Sequence, residues 1–457
     1  MSTLANQLSP SSVNFSILHQ KYSPMLNLVD ALIGVIPNCD PILEIWPVGF
    51  RTYNLLVPNL LNLPVSLLGS KSNKALLGLA MYTASKTAHC AYCTAHTCSF
   101  ALRRGLSPEV FLGNTSPKEK AVIALAEALS IIPSDVPSSL ICNLKTYFSE
   151  TELERLVLAI CLMGFLNKFM DAVGVELEVD AMNDVLHILQ PHGWSSGKHG
   201  TAENLSRVSA KEVAKDSLKT YFRVFQQAPK AIRIERQWTK GVPDDQDRAQ
   251  AYLQERVGYT FPLLRNIGQK RVVRALTTIL RDNLDAEISA IGLGTKALCG
   301  LVFATVVKNN YLSCESVTLA KLFNPNFSET TLEVVRNIAY LAVPSEKNEC
   351  QKQLTDIVNM SELSEKEAAA FILSRAISDS PADVNEAIIS EISPLFSPEE
   401  LVELNVWISI QQLMHRLERY YSAHYSLSQL GEVHYQDFSP MSLKKSRSQG
   451  LFTLVSH

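Results

Sequence analysis

The segment KTAHCAYCTAHTCSF, from Lys86 to Phe100, holds three cysteines and two histidines in fifteen residues. Such a cluster can bind a metal, form a redox pair or fill a crowded helical core. We predict one continuous helix from Ser72 to about Gly105, on which residues three or four apart lie on the same side, about 5–6 Å from each other. The face that carries the chemistry then consists of Lys86, His89, Cys90, Cys93 and His96.

The surroundings of Cys93 favour a reactive thiolate. An ordinary thiol has a pKa of ~8.5, and cationic neighbours raise its ionised fraction at neutral pH. No Asp or Glu occurs between Glu44 and Glu109. His89 lies one predicted turn before Cys93, and His96 lies nearly one turn after it. We therefore expect an accessible, ionised Cys93, with Cys90 close enough to form a disulfide with it.

Two other interpretations of the cluster remain open. Cys90, Cys93 and His96 could supply three zinc ligands, but structural zinc sites usually join ligand pairs from separate segments. Three ligands on one continuous helix rarely close a tetrahedron, so the redox pair is favoured over the metal. The cysteines could also be buried bystanders. The pattern predicts no metal and no cofactor.

Composition limits the classes of function. The chain of 457 residues is 46% apolar with a formal net charge of −3, which argues against nucleic acid as a partner. The N-terminus does not resemble a secretory signal, and the most apolar run, Leu156 to Leu166, is shorter than the ~20 residues of a membrane span. Nine cysteines in such a chain suggest a reducing compartment. We expect a cytoplasmic protein without membrane contact.

The elements that position the cluster are predicted to be helices. Ser116 and Ser149 each precede a run of charged and apolar residues with helical periodicity, and each resembles an N-cap. Alternation of β-branched residues is scarce. We predict an all-α fold, in which Leu156 to Leu166 lies in a buried helix.

The pattern of the first half recurs after a segment rich in Gly, Ser and His between residues 191 and 205. Phe148 to Ile160 is similar to Phe396 to Ile408, and Lys74 to Cys93 is similar to Lys296 to Cys314. Chance similarity between helices is the alternative to a duplicated domain. We predict a first domain at 1–195, a linker at 196–208, a degenerate second copy at 209–430 and a C-terminal tail at 431–457.

Four motifs in order, CAYCTAH, GLSPE, SPKEKAVIALAEAL and GFLNKFMDAVGVELE, resemble the AhpD-like alkylhydroperoxidases of the carboxymuconolactone decarboxylase superfamily. The resemblance covers residues 25–185 and returns in degenerate form over 210–425. It implies two tandem AhpD-like helical domains packed as an internal pseudo-dimer, in a family that usually forms oligomers, which leaves a homo-oligomer open.

The resemblance also implies an oxidoreductase. Cys93 would attack a hydroperoxide, Cys90 would resolve it as a disulfide, and a thioredoxin-like or lipoyl-type dithiol donor would restore both thiols. His96 is the expected proton relay, although the family's histidine falls on Thr97. The carboxylate that completes the family's relay falls on Gly78 and is missing.

The second copy is predicted to be inactive. In this alignment Cys314 matches Cys93, but Tyr311 replaces Cys90 and Val317 replaces His96. The alternative function is a non-enzymatic redox sensor or regulatory scaffold that binds partners or a ligand through the doubled fold, a plan that sestrins share. Lactone or decarboxylation chemistry ranks lower, because those branches of the superfamily do not rely on a CxxC pair.

Overall fold

The structure, a computed structural model, describes residues 2–209 and 211–424. Within these residues helices alternate with turns and no β-strand occurs, so the all-α prediction is confirmed. The predicted tail at 431–457 lies outside the described residues. The α-helices are α1 (Leu4–Leu8), α2 (Phe15–Ile33), α3 (Asp40–Leu43), α4 (Pro47–Leu60), α5 (Lys71–Thr87), α6 (Ala91–Arg103), α7 (Pro108–Phe111), α8 (Pro117–Ser130), α9 (Ser138–Leu144), α10 (Glu150–Val173), α11 (Val179–Leu189), α12 (Ala202–Ser206), α13 (Leu218–Trp238), α14 (Gln246–Val257), α15 (Lys270–Asn283), α16 (Leu293–Val306), α17 (Asn310–Phe323), α18 (Glu329–Ile338), α19 (Lys347–Met360), α20 (Glu365–Ser378) and α21 (Pro398–His424).

Short 3₁₀ and π turns connect several of these helices. They are Ser9–Ser11, Val65–Leu68, Gln190–His192, Gly197–His199, Pro262–Asn266 and Ser393–Leu395, together with the π turn Ile388–Ile392. The segment predicted to be a linker contains Gly197–His199 and α12, and His199 in it is buried. Its Nδ1 atom lies 2.6 Å from the carbonyl oxygen of Val175.

Two central helices begin at the capping serines that the sequence predicts. Ser116 opens α8 and Ser149 opens α10, each in a reciprocal hydrogen-bonded pair with the glutamate three residues later. Such pairs satisfy backbone N–H groups that a helix start leaves without partners. α10 is long and apolar enough to cross a membrane, but 94% of its most apolar window is buried inside the protein. It packs along α21 at the centre of the molecule.

The cysteine segment is not the single helix that the sequence predicts. α5 ends at Thr87, His89 adopts a left-handed conformation with φ of 55°, and α6 begins at Ala91. The chain reverses at this break, so that α6 packs back against α5. A Cβ atom at Gly78 of α5 would lie 2.6 Å from the Cα atom of Ala101 in α6. A side chain at this position, a glutamate included, would force the backbones of α5 and α6 apart.

A second helix pair repeats this break. α16 ends at Val306, Lys308 has φ of 53°, and the side chain of Asn309 caps the start of α17. Counted from the break, Asn309 stands in the place of Cys90, and Leu312 stands in the place of Cys93. The sequence alignment that paired Cys314 with Cys93 is therefore out of register by two residues, because it counted from the shared start of the helix instead of the turn.

The two halves share one hydrophobic core. Arg416 of α21 donates from Nη1 to the carbonyl oxygen of Ile160 at 2.8 Å, and Lys168 of α10 donates to that of Asp379 at 2.6 Å. Ser380 also donates to the carbonyl oxygen of Ala88 at 3.1 Å. The second half therefore directly supports the turn that precedes Cys90.

Candidate functional site

Cys90 and Cys93 meet at the first turn of α6. Cys90 is the N-cap residue, and its Sγ atom accepts a hydrogen bond from the backbone N–H of Cys93 at 3.3 Å. Both thiols are free. Cys90 is 0% exposed and Cys93 is 3% exposed, so any oxidant must reach them through an internal opening.

Such an opening lies beside Cys93. A cavity of about 90 Å³ is bounded by Cys93, Tyr92, His96 and Thr97 of α6, and otherwise almost wholly by apolar side chains from α2, α4, α5 and α10. A few polar groups on one wall of an apolar cavity are typical of a site that orients a small, mainly apolar ligand.

Glu178 supplies the carboxylate that the sequence leaves missing. One of its oxygens, Oε2, lies 2.7 Å from Nε2 of His96. The other, Oε1, accepts hydrogen bonds from the Tyr92 hydroxyl at 2.8 Å and from the Asn38 backbone N–H at 2.6 Å. The residue follows the left-handed turn at Gly174 that ends α10. In the sequence Glu178 lies in the acid-rich stretch VELEVD, but the sequence does not show which acid of that stretch reaches the cysteine helix.

The charge of Glu178 is maintained by its partners. Burial alone would raise the pKa of this carboxyl, but the facing His96 and the hydrogen bonds from His96 and Asn38 outweigh burial and hold the pKa below 4.5. Asp40, close by, behaves in the opposite way. Burial raises its pKa well above 3.8, as do the charges of Glu178 and Glu44, and neither of its oxygens has a hydrogen-bond partner among the described residues. The site therefore places two carboxyl groups with opposite pKa shifts close together.

Cys93 is not the ionised thiol that the sequence predicts. Burial raises its pKa well above 9.0, and the neighbouring Cys90 and the carboxylate of Asp171 raise it further. The prediction failed because it took Cys93 to be accessible and considered only charges nearby in the sequence, whereas the thiol is buried and Asp171 approaches it from the end of α10. Cys93 is a neutral thiol at neutral pH, and it needs a base to become a nucleophile.

Two of the predicted site residues lie elsewhere. Lys86 and His89 are exposed on the outer side of the helix break, and neither lines the cavity. The sequence prediction placed His89 one turn before Cys93 on the same helix face, which requires an unbroken helix. Of the five predicted residues, the structure brings together Cys90, Cys93 and His96.

The matching place in the second half has no thiol. Leu312 stands where Cys93 stands in the first half, and Glu315 stands where His96 stands. The Tyr311 hydroxyl donates to Glu315 at 3.2 Å, and burial raises the pKa of Glu315 to about 8, although this hydrogen bond lowers it. Thiol chemistry therefore has no counterpart at this place.

No model of a known protein family matches the chain, and no curated protein is significantly similar to it in sequence. The resemblance to AhpD-like proteins accordingly stays a prediction. The site itself combines a CxxC pair at a helix start with a histidine that borders the cavity and contacts a carboxylate.

Proposed function

We propose that the chain is a thiol-dependent hydroperoxide reductase, an oxidoreductase in which Cys93 is the peroxide-reducing thiol. One observation carries this proposal. Cys93 and His96 border the same apolar cavity, and Glu178 holds His96 at 2.7 Å. A carboxylate hydrogen-bonded to an imidazole orients the ring and stabilises its protonated form. Such an imidazole can accept the proton of a thiol whose pKa is raised.

The proposed reaction is a two-electron reduction. His96 takes the proton of Cys93, and the thiolate attacks the distal oxygen of the hydroperoxide while the O–O bond breaks. The alkoxide takes that proton from His96 and leaves as an alcohol, and Cys93 becomes a sulfenic acid. Cys90 then attacks the sulfur of Cys93, which forms the disulfide and releases water. An external dithiol of the thioredoxin or lipoyl class reduces the disulfide and is itself oxidised.

The second half is proposed to be a degenerate copy of the first, packed against it as an internal pseudo-dimer. Two observations support this proposal: the shared helix break at His89 and Lys308, and the N-caps Cys90 and Asn309 that follow it. The proposed location is the cytoplasm, where a dithiol donor keeps nine free cysteines reduced.

The test is consumption of tert-butyl hydroperoxide with excess dithiol by wild type, Cys93→Ser and Cys90→Ser. We expect Cys93→Ser to abolish consumption and Cys90→Ser to slow it and leave a trappable sulfenic acid at Cys93. Cys98→Ser is the matched control, since Cys98 is buried in the same helix but does not line the cavity. Equal rates in all four proteins would refute the proposal.

The second candidate is a redox sensor without sustained turnover. The burial of Cys93, at 3% exposed, favours it, because slow access suits a switch better than a catalyst. In that case mild peroxide would form the Cys90–Cys93 disulfide. Peroxide consumption would then stop after one equivalent per protein, even with dithiol present.

A further inference from the structure

Three openings follow one another along α4. The cavity beside Cys93 is lined by Tyr53 and Val57 of this helix. A second, mainly apolar cavity of about 40 Å³ between α2, α4 and α13 is lined by Val57 and Pro58. A surface cleft of about 310 Å³ begins at Asn59 and Leu60. From Tyr53 to Leu60 the helix advances by about 10 Å.

Adjacent openings share walls. The two apolar cavities have four lining residues in common, namely Val29, Leu32, Val57 and Leu63. The second cavity and the surface cleft have Arg271 in common. A slim chain that passes between these shared side chains would connect the surface cleft with Cys93.

The surface cleft is basic. Arg155 and Lys270 are exposed on its walls, and neither has a hydrogen bond or ion pair within residues 2–209 and 211–424. Arg271 is half-buried and donates from Nε to Asn59 at 3.2 Å and from Nη1 to the Leu63 carbonyl at 2.8 Å. Its Nη2 atom remains for a ligand, and guanidinium groups bind carboxylates in a favourable planar geometry.

The acids near this cleft neutralise it only in part. Glu235 lies at the Arg271 end of the second cavity and accepts a hydrogen bond from Asn59 at 3.1 Å, so it balances one of the three cations. Glu154 accepts hydrogen bonds from the backbone N–H of Gly268 at 2.6 Å and from the Gln269 side chain at 3.0 Å. These donors are neutral, so the formal charge of Glu154 offsets a second cation. An excess of positive charge remains at the mouth of an apolar path.

We propose that this path binds a medium-chain fatty acid, with its carboxylate at Arg155, Lys270 and Arg271 and its hydrocarbon chain directed towards Cys93. The basic mouth complements the carboxylate, and the apolar cavities complement the chain. The corresponding substrate is a fatty acid that carries a hydroperoxide group near the far end of its chain. The identity of this substrate rests on the proposed function, whereas binding of the unmodified acid does not.

The experiment is calorimetric titration of the full chain with decanoate, with 1-decanol and with inorganic phosphate. We expect decanoate to bind more tightly than either of the other two. The double variant Arg155→Gln/Lys270→Gln should weaken decanoate binding at least tenfold and leave 1-decanol binding unchanged. Lys120→Gln/Lys352→Gln is the control, because it removes two exposed charges that do not line the cleft.

A second measurement reports on the far end of the path. Saturating decanoate should slow the alkylation of Cys93 by N-ethylmaleimide at least severalfold and leave the exposed Cys142 unaffected. The inference is overturned if decanoate and 1-decanol bind equally, if phosphate binds as tightly as decanoate, if the double variant keeps full affinity, or if bound decanoate leaves Cys93 unprotected. If decanoate does not bind but Cys93-dependent peroxide consumption persists, fatty-acid binding is refuted and the proposed function is not. If decanoate binds but the protein consumes no peroxide, the proposed function is refuted and fatty-acid binding is not.

Discussion

Replacing Glu178 with glutamine tests whether this carboxylate assists the transfer of the Cys93 proton to His96. Glutamine has nearly the same size and can still accept the hydrogen bonds from Tyr92 and from the Asn38 amide. It lacks the negative charge that lies 2.7 Å from His96. The protonated imidazole formed when Cys93 loses its proton is then no longer stabilised.

The size of the effect follows from this one contact. A hydrogen bond to a charged group contributes about 1.5–3 kcal/mol, and about 1.4 kcal/mol corresponds to a factor of ten. Because only about 10% of the Glu178 side chain is exposed, solvent screens the contact little. We expect disulfide formation in Glu178→Gln to be roughly 10- to 150-fold slower than in wild type near neutral pH.

The assay is a single turnover with tert-butyl hydroperoxide, quenched with acid and measured as the Cys90–Cys93 disulfide by mass spectrometry. Glu176→Gln is the control, since Glu176 accepts only neutral hydrogen bonds, from Thr201 and Asn204, at 2.7 Å each. The deficit of Glu178→Gln should shrink well above pH 9, where the Cys93 thiol ionises without a base. Unchanged kinetics in Glu178→Gln, or equal slowing in both variants, would refute the reasoning.

Three further outcomes are expected. Gly78→Ala should lower the free energy of unfolding by about 1–3 kcal/mol in urea titrations, because its Cβ would press on Ala101; unchanged stability would contradict the close approach of α5 and α6. Iodoacetamide near neutral pH should label the exposed Cys142 before Cys93, whose pKa burial raises, and peptide mapping that finds the reverse order would contradict the buried site. Burial lowers the pKa of Lys168 from 10.5 to about 7, so the unfolded chain binds more protons between these values and stability rises with pH. The free energy of unfolding of wild type relative to Lys168→Met should accordingly increase from pH 7 to pH 10, and a constant difference would count against it.

The sequence predicted the features that depend on neighbouring residues. The caps at Ser116 and Ser149 and the buried character of α10 follow from short patterns, and the structure has them. The helical class follows from the same periodicity. Cys93 and His96 are three residues apart within α6, so their position on one face survives the break before it.

The break itself could not be predicted, because no glycine or proline marks it. His89 adopts a left-handed backbone that is uncommon for any residue other than glycine, and the packing of α6 on α5 through Gly78 and Ala101 keeps it there. Glu178 was not predictable for a different reason. It reaches His96 only because α10 and the turn at Gly174 return the chain to α6, and this return depends on tertiary packing.

The start of α6 depends on a sulfur atom. Cys90 Sγ accepts the N–H of Cys93, whereas at the start of α17 the amide oxygen of Asn309 accepts the N–H of Leu312 at 2.9 Å. An amide oxygen is inert to oxidants and electrophiles, but a sulfur that is oxidised or alkylated changes its size, charge and bonding directions. The two helix starts therefore have matching geometry and unequal chemical durability, and a reagent that modifies Cys90 would loosen the first turn of α6 while leaving α17 intact.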